Sequence, residues 1–167
     1  MMGSSKFYEE VKKDQLYHEW DENRNEAIKE AKAMLPPVQT ILDVGSGEKD
    51  LGFTEMVDLG KGCDFHWLDY EDGSFDLIWA RHALEHSPMP YFALREWYRV
   101  SKQYLLVVVP EVSEYIANYP GHYSCLSEEM WEALFKKSGW EVEKFVKGFW
   151  KHGDRNLPEL RFLCKKF

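Results

Sequence analysis

Apolar runs of strand length alternate along the chain with stretches that mix charged and apolar residues. The strand-length runs occupy residues 40–44, 54–59, 75–80 and 104–109. The mixed stretches predict helices over residues 7–35, 91–100 and 127–138. This order of strand followed by helix predicts a mostly parallel sheet with helices on both faces.

The C-terminal part of the chain departs from this order. Residues 140–146 and 160–165 read as two strands with no helix between them, which predicts an antiparallel pair at one edge of the sheet. The link over residues 149–158 exceeds a tight hairpin turn. We expect residues 1–167 to form one domain, in which residues 1–37 are a helical cap and residues 38–167 an α/β core.

Helical signals within the cap break near residues 21–23, which predicts a second helix ended by Pro36 and Pro37. The next connection is unusually short. A parallel crossover usually takes a dozen or more residues, so the helix after the first strand is expected to shrink to a turn. The alternative is that one of the two strands is missing or distorted.

Composition narrows the class of protein. A hydrophobic fraction of 44% and an aromatic fraction of 16% predict a folded domain. The net charge of −8 argues against broad binding to nucleic acid or an anionic membrane, both of which favour a basic face. Three widely spaced cysteines without a C-x-x-C pair indicate a reduced, cytoplasmic setting. No apolar run approaches ~20 residues, so we expect no membrane span.

The turn after the first strand carries the strongest chemical signal. Gly45 and Gly47 allow a tight turn and close approach of a ligand to the backbone, as at the start of a nucleotide-binding α/β unit. Asp43 would repel the pyrophosphate of a dinucleotide, and Asp50 stands where G-x-G-x-x-G has its third glycine. S-adenosyl-L-methionine, which has a sulfonium and an ammonium but no phosphate, suits this turn better. A nucleotide-dependent oxidoreductase is thereby disfavoured.

Three further segments extend the pattern. The residues ILDVGSG at 41–47, DGSFDLI at 72–78 followed by HALEH at 82–86, and REWYRV at 95–100 resemble the type 11 group of small class I methyltransferases. The resemblance covers residues 40–145. It implies a Rossmann-like α/β fold and an S-adenosylmethionine-dependent methyltransferase.

The resemblance also implies a set of site residues. Asp58, at the end of the second strand, would accept the ribose hydroxyls, and Asp64 and Phe65 would line the adenine. The implied cofactor-binding residues are Asp43, Gly45, Ser46, Gly47, Glu48, Asp58, Leu59, Asp64, Phe65 and Arg81. Phe65 and Trp67 could stack on the base or fill the core. Glu48 and Lys49 depart from the small residue and glycine that the family often has there.

Methyl transfer from a sulfonium needs mainly positioning and exclusion of water, with S-adenosyl-L-homocysteine as product. His82, just after the third strand, and His122, in a later loop, are the candidate general bases. We expect a small-molecule acceptor, because the net charge of the chain is negative. The alternative is a noncatalytic module that binds S-adenosylmethionine or S-adenosylhomocysteine and serves a partner protein.

His82 and His86 also raise the question of a metal. At positions i and i+4 they would share a helical face, but the order H-A-L-E-H differs from H-E-x-x-H and no third ligand is suitably spaced. We therefore expect no metal, and expect His86 to satisfy backbone groups.

Overall fold

The structure is a computed structural model that describes residues 22–47, 50–152 and 154–167. The predicted helical segment before residue 22 lies outside the described residues, as do Glu48 and Lys49. The first described helix, α1, spans Glu22–Lys32 and agrees with the second helix predicted for the cap. Within the part of the chain that is described, no helix combines the length and the apolar character needed to cross a bilayer.

Within the described residues, six strands form one sheet. They are β1 (Ile41–Val44), β2 (Glu55–Val57), β3 (Phe75–Arg81), β4 (Ser101–Pro110), β5 (Trp140–His152) and β6 (Arg155–Lys166). Their spatial order is β2-β1-β3-β4-β6-β5. The first four strands are parallel, β6 is antiparallel to β4, and β5 is antiparallel to β6. The predicted fold class is therefore confirmed.

Helices cover both faces of the sheet. On one face α2 (Pro90–Val100) and α4 (Glu128–Lys137) bury Trp97, Trp131 and Phe135 against the strands. On the other face α1 and the residues after it bury Ala31 and Met34 against the strand side chains. A short helix, α3 (Glu114–Ala117), follows β4. Ser127 caps α4 as predicted, by accepting a hydrogen bond from the amide of Met130 at 3.4 Å.

The connection from β1 to β2 is the predicted short crossover. Residues 45–47 and 50–54 of it contain no helix among the described positions. The amides of Gly45 and Ser46 both donate to the carbonyl of Val57, at 2.9 and 3.2 Å. These bonds fold the glycine turn directly onto the end of β2, so the two strands remain adjacent without a covering helix.

The predicted boundaries of the last two strands were wrong. Residues 149–158 are not a long link, because β5 and β6 stay paired out to His152 and Arg155. Gly148 and Pro158 read as strand breakers in the sequence. Pro158 is tolerated because it lies just past the last pair between β6 and β4, Pro110 with Glu159, where that ladder ends.

Arg161 on β6 joins the sheet to α1. Its Nη1 donates to Glu30 at 2.8 Å, and its Nε donates to Glu159 at 2.8 Å. The Arg161 side chain is 3% exposed. A Cβ at Gly148, on the neighbouring strand, would collide with the Arg161 guanidinium. Glycine at this position thus provides the space that the buried guanidinium occupies.

We expect Gly148→Ala to destabilise the protein by about 1–3 kcal/mol, the usual cost of overpacking. The guanidinium cannot swing away without breaking its bonds to Glu159 and Glu30. Urea denaturation measures the effect, with Lys151→Ala on the exposed side of the same strand as a nearly neutral control. A Gly148→Ala protein as stable as this control would mean that Arg161 is not held in place.

Candidate functional site

Because β1–β4 are parallel, the loops that follow them meet at one edge of the sheet. These loops contain the glycine turn after β1, Asp58 after β2 and His82 after β3. Ligands of open α/β sheets bind at this carboxyl edge. Most of the residues predicted for the site therefore lie together, as the sequence analysis expected.

The glycines of the turn are required by its geometry. Gly45 and Gly47 have φ angles of 74° and 62°, which side-chain-bearing residues rarely adopt. A Cβ on Gly45 would lie 2.5 Å from the Cβ of Ala83 in the loop after β3. The turn thus packs tightly against the neighbouring loop and leaves its backbone close to any ligand at the edge.

Asp58 fixes the conformation of the turn. Its Oδ2 accepts from the amide of Gly47 at 2.8 Å, and its Oδ1 accepts from the amide of Gly60 at 2.8 Å. The second bond caps a single 3-10 turn, Leu59–Lys61, that begins with the predicted Leu59. Asp58 is 7% exposed. Asp58 therefore lies at the end of β2 and orders the glycine turn, and its contact with a ribose stays a prediction.

Asp43 is a buried acid on β1, the strand that leads into the glycine turn. Burial raises its pKa to about 7, and the negative charge of Asp58 adds to the rise, while Lys61 and Lys32 oppose it. Two acids this close favour a positively charged ligand, because a cation would relieve their mutual repulsion. The carboxyl edge near β1 and β2 is therefore suited to bind positive charge.

Asp64 and Phe65, the residues predicted to line adenine, make most of their contacts within the protein. Asp64 accepts from the backbone amide of His66 at 3.0 Å and lies 2.6 Å from its Nδ1. The ring of Phe65 packs edge-on against Trp97, with ring centroids 5.6 Å apart, so it fills the core. Trp67 is 66% exposed and is the aromatic side chain of this segment that a ligand could reach.

His66 was not singled out from the sequence. Its Nε2 lies 2.7 Å from Ser87 Oγ, so it joins this segment to the loop after β3.

Arg81 and His82 converge on Glu159, a fully buried carboxylate of β6. Arg81 Nη2 donates to it at 3.1 Å and His82 Nε2 lies 2.9 Å from the same oxygen. Burial alone would raise the pKa of Glu159, but the bond from His82 and the charge of Arg81 outweigh it and lower the pKa to about 2. The ring of His82 also meets Trp150 edge-on at 4.5 Å. Glu159 thus orients both residues.

His82 also has the backbone φ of 49° that is uncommon outside glycine. Its amide donates to the carbonyl of Val108 at 2.9 Å, which holds this conformation at the end of β3. The strained backbone and the paired side chain fix the imidazole in one orientation. Such preorganisation is common where a side chain takes part in function.

His86 and His122 lie together after β3 and α3. Their ring centroids are 4.8 Å apart. His86 Nδ1 donates to the carbonyl of Gly121 at 3.0 Å, so His86 satisfies a backbone group as expected. Burial, aided by His122, lowers the pKa of His86 to about 4.

A groove of about 480 Å³ lies elsewhere, between α4 and the start of β5. Lys136, Trp140 and Phe145 are among its lining residues. It contains none of the residues predicted for the site, and the glycine turn is at the other end of the sheet. The carboxyl edge remains the candidate site.

Comparisons with known proteins agree with this geometry. The model of the methyltransferase domain family, type 11, matches residues 57–107. No curated protein matches the chain. The family match and the fold confirm the predicted resemblance to class I methyltransferases and, with it, S-adenosyl-L-methionine as the implied methyl donor.

Solved structures show the same fold at low sequence identity. A Thermotoga maritima protein described as a possible histamine N-methyltransferase is 18% identical, with a TM-score of 0.73 and coverage of 97% of each chain. Burkholderia thailandensis 1,6-didemethyltoxoflavin-N1-methyltransferase, solved with 1,6-didemethyltoxoflavin and S-adenosylhomocysteine, is 16% identical, with a TM-score of 0.74 and coverage of 98% of this chain and 86% of that chain. A chain from the complex of a Haloferax volcanii methyltransferase activator with a methyltransferase has a TM-score of 0.64 at 16% identity, covering 86% of this chain and 90% of that chain.

The raised pKa of Asp43 predicts a pH effect on stability. The unfolded carboxyl ionises near ~3.9 and the folded one near 7, so the unfolded state holds fewer protons between these values. Stability from this group therefore falls as pH rises from about 4 to 7 and stays low above. We expect Asp43→Asn to gain roughly 2–3 kcal/mol relative to the wild type on going from pH 5 to pH 8.

Denaturation at the two pH values measures this gain. Asp76→Asn is the control of opposite sign, because Lys102 and the amides of Gln39 and Thr40 hold the pKa of Asp76 below its usual range. That variant should lose stability relative to the wild type as the pH rises through the acid range. Parallel stability profiles for Asp43→Asn and the wild type would show that Asp43 has an ordinary pKa.

Proposed function

We propose that this chain, which carries a type 11 methyltransferase domain in a Rossmann-like fold, transfers the methyl group of S-adenosylmethionine to a small-molecule acceptor. The observation that carries the proposal is the glycine turn of β1, which Asp58 holds through the amide of Gly47 at 2.8 Å beside the buried acid Asp43. This arrangement offers acids and close backbone approach where a dinucleotide site would need anion-binding amides.

The charges of the ligand match this edge. S-adenosylmethionine carries a sulfonium and an ammonium, and Asp43 has its pKa raised to about 7 by burial and by Asp58. A cation placed beside Asp43 favours the ionised carboxylate and is attracted to it. The ribose would lie toward Asp58, and the exposed Trp67 would contact the base. Asp43 would thus hold the methionine part of the ligand.

In the reaction, the methyl carbon leaves the sulfonium sulfur and bonds to a heteroatom of the acceptor. The sulfur keeps the electron pair and becomes the thioether of S-adenosylhomocysteine, while the acceptor's proton passes to a base. The protein lowers the barrier mainly by alignment of the two reactants and exclusion of water. Large electrostatic assistance is not needed, because the leaving group becomes neutral.

His82 is the base that the geometry favours. Its Nε2 is directed to Glu159 at 2.9 Å, so the lone pair of the neutral ring lies on Nδ1. The buried carboxylate also stabilises the imidazolium that forms when Nδ1 takes a proton, as the carboxylate does in a catalytic triad. Arg81, which we predicted to contact the cofactor, would act through Glu159 in this arrangement.

The acceptor is proposed from charge and from similar folds. A net charge of −8 disfavours broad binding to nucleic acid and leaves a small molecule as the simpler partner. The names of two similar structures, a toxoflavin precursor methyltransferase and a possible histamine N-methyltransferase, refer to small molecules. We also propose a cytoplasmic location, in line with three unpaired cysteines, Cys63, Cys125 and Cys164.

Isothermal titration with S-adenosylhomocysteine tests the cofactor site. We expect Asp58→Asn to weaken binding about tenfold or more, because a hydrogen bond to a charged acceptor is worth ~1.5–3 kcal/mol. Asp72→Asn is the matched control, because Asp72 is exposed and pairs with Arg99. Equal affinities for the two variants would contradict the proposed ribose contact.

Asp58 also orders the glycine turn, so the ribose contact needs a separate measurement. The same titrations with a 2′-deoxyribose analogue complete a double cycle. If Asp58 binds the hydroxyl, its replacement costs less affinity for the analogue than for S-adenosylhomocysteine. If the affinity lost on replacing Asp58 is the same for both ligands, Asp58 only orders the glycine turn and does not bind the hydroxyl.

His82→Gln should lower turnover by ~10²–10⁴, the usual contribution of a positioned base, with little change in cofactor affinity. Release of S-adenosylhomocysteine in the presence of a panel of small-molecule acceptors measures turnover. The wild-type rate should rise with pH and that of the variant should not. Cofactor binding without turnover in the wild type would favour the noncatalytic module, and loss of cofactor affinity in His82→Gln would make His82 structural.

A further inference from the structure

Three side chains with metal-ligating atoms converge beside the candidate site. Glu85 and His86 belong to a 3-10 turn, Leu84–His86, that follows β3, and His122 lies in the loop after α3. One ligand atom from each of the three lies within 4.8 Å of the others. This group differs from the pair His82 and His86 that the sequence brought to attention, and its third member is distant in sequence.

Both histidines are oriented as metal ligands usually are. His86 Nδ1 bonds to the carbonyl of Gly121 at 3.0 Å, and His122 Nδ1 bonds to the carbonyl of Ile116 at 2.8 Å. A carbonyl only accepts, so each Nδ1 carries the proton and each neutral ring has its lone pair on Nε2. A backbone carbonyl on the far nitrogen is a common second contact of a metal-binding histidine.

Glu85 provides the independent observation. Its side chain is buried, with 2% exposure, yet its Oε2 has no hydrogen-bond partner among the described residues. A buried carboxylate oxygen without a donor is costly, whereas a bound cation would compensate it. The Glu85 carboxyl, which has this unpartnered oxygen, lies in the same group as the two imidazoles.

The loop that brings His122 is fixed to the turn that brings Glu85. The amides of Tyr123 and Ser124 both donate to the carbonyl of Glu85, at 2.9 and 3.0 Å. Ser124 Oγ donates to the carbonyl of Ser87 at 2.6 Å. These bonds hold His122 opposite Glu85 without any ligand, which is the support that a preorganised site needs.

From this geometry we propose that Glu85, His86 and His122 bind a divalent transition-metal cation. Two imidazoles and one carboxylate suit zinc and similar transition metals, whereas magnesium favours oxygen ligands and retained waters. Metal–ligand bonds of about 2.0–2.2 Å draw the three atoms closer together, which small side-chain rotations provide. Three protein ligands leave a coordination position open, as in catalytic zinc sites.

The site lies next to the cofactor turn. Ala83, which is two residues from Glu85, is the residue whose Cβ limits the space around Gly45. The open coordination position can therefore hold an oxygen or nitrogen atom of the acceptor near the methyl donor. This placement of the acceptor rests on the proposed methyl transfer, whereas the cation site itself does not.

Metal titration of protein purified without chelating resin and treated with EDTA tests the proposal. The wild type should bind one equivalent of Zn²⁺ and prefer Zn²⁺ or Mn²⁺ to Mg²⁺. Glu85→Gln and His122→Ala should each weaken Zn²⁺ binding by about 100-fold or more. Even the replacement of a residue that only hydrogen-bonds to a metal ligand typically lowers metal affinity by ~10–100-fold. His66→Gln, which removes a histidine outside the group, should retain the affinity.

Circular dichroism shows whether the variants fold, and Zn²⁺ should raise the melting temperature of the wild type and of His66→Gln only. Equal Zn²⁺ affinity in wild type, Glu85→Gln and His122→Ala would overturn the site. If a variant does not fold, NMR of the histidine ring nitrogens in the wild type decides. Zn²⁺ should shift Nε2 of His86 and His122, and a response confined to other histidines, or none, would also overturn it.

These measurements use no S-adenosylmethionine. A failure of metal binding is thereby distinguished from a failure of the proposed methyl transfer, which the titrations with S-adenosylhomocysteine report.

Discussion

The buried carboxylate of Glu159 is the constraint on which the carboxyl edge depends. A fully buried charge is tolerated only when opposite charges and hydrogen bonds surround it, and here Arg81, His82 and Arg161 provide them. These partners come from β3, from the residue that follows it and from β6 itself, and Arg161 also donates to Glu30 on α1. One buried charge thus sets the relative positions of two strands and a helix, and it fixes the imidazole proposed as the base.

The glycine turn between β1 and β2 is held by hydrogen bonds in a connection that is too short for the usual crossover helix. No helix covers the step from β1 to β2 among the described residues, and hydrogen bonds take over its role. The carbonyl of Val57 and the carboxylate of Asp58 hold the amides of Gly45, Ser46 and Gly47. Burial raises the pKa of Asp43, and the charge of Asp58 adds to this rise, so a group that orders the turn also favours positive charge beside it.

Local sequence signals predicted the parts of the structure that depend on neighbouring residues. The apolar runs predicted β1 and β4, Ser127 predicted the start of α4, and Gly45 and Gly47 predicted the turn after β1. The hairpin of β5 and β6 was mispredicted because Pro158 reads as a breaker, although it lies where one ladder ends. Whether a strand continues past such a residue depends on its neighbour in the sheet, which the local pattern does not contain.

The residues that the sequence analysis missed have long-range partners. Glu159 and Arg161 alternate with Leu160 and Phe162, so two opposite charges share one face of a strand whose other face is apolar. That pattern could have indicated a buried ion pair. By contrast, no local signal connects His122 with His86, because a loop and a turn from separate crossovers bring them together.

The contact between Gly45 and Ala83 has a consequence for divergence among related proteins. The glycine turn and the loop after β3 share a space too small for one added carbon, since a Cβ on Gly45 would lie 2.5 Å from that of Ala83. The two positions must therefore vary together: a larger side chain at one requires the other to stay minimal or the loops to separate. Changes that alter which ligand this edge takes would therefore fall on exposed residues around the two loops, because the space between the loops admits no added carbon.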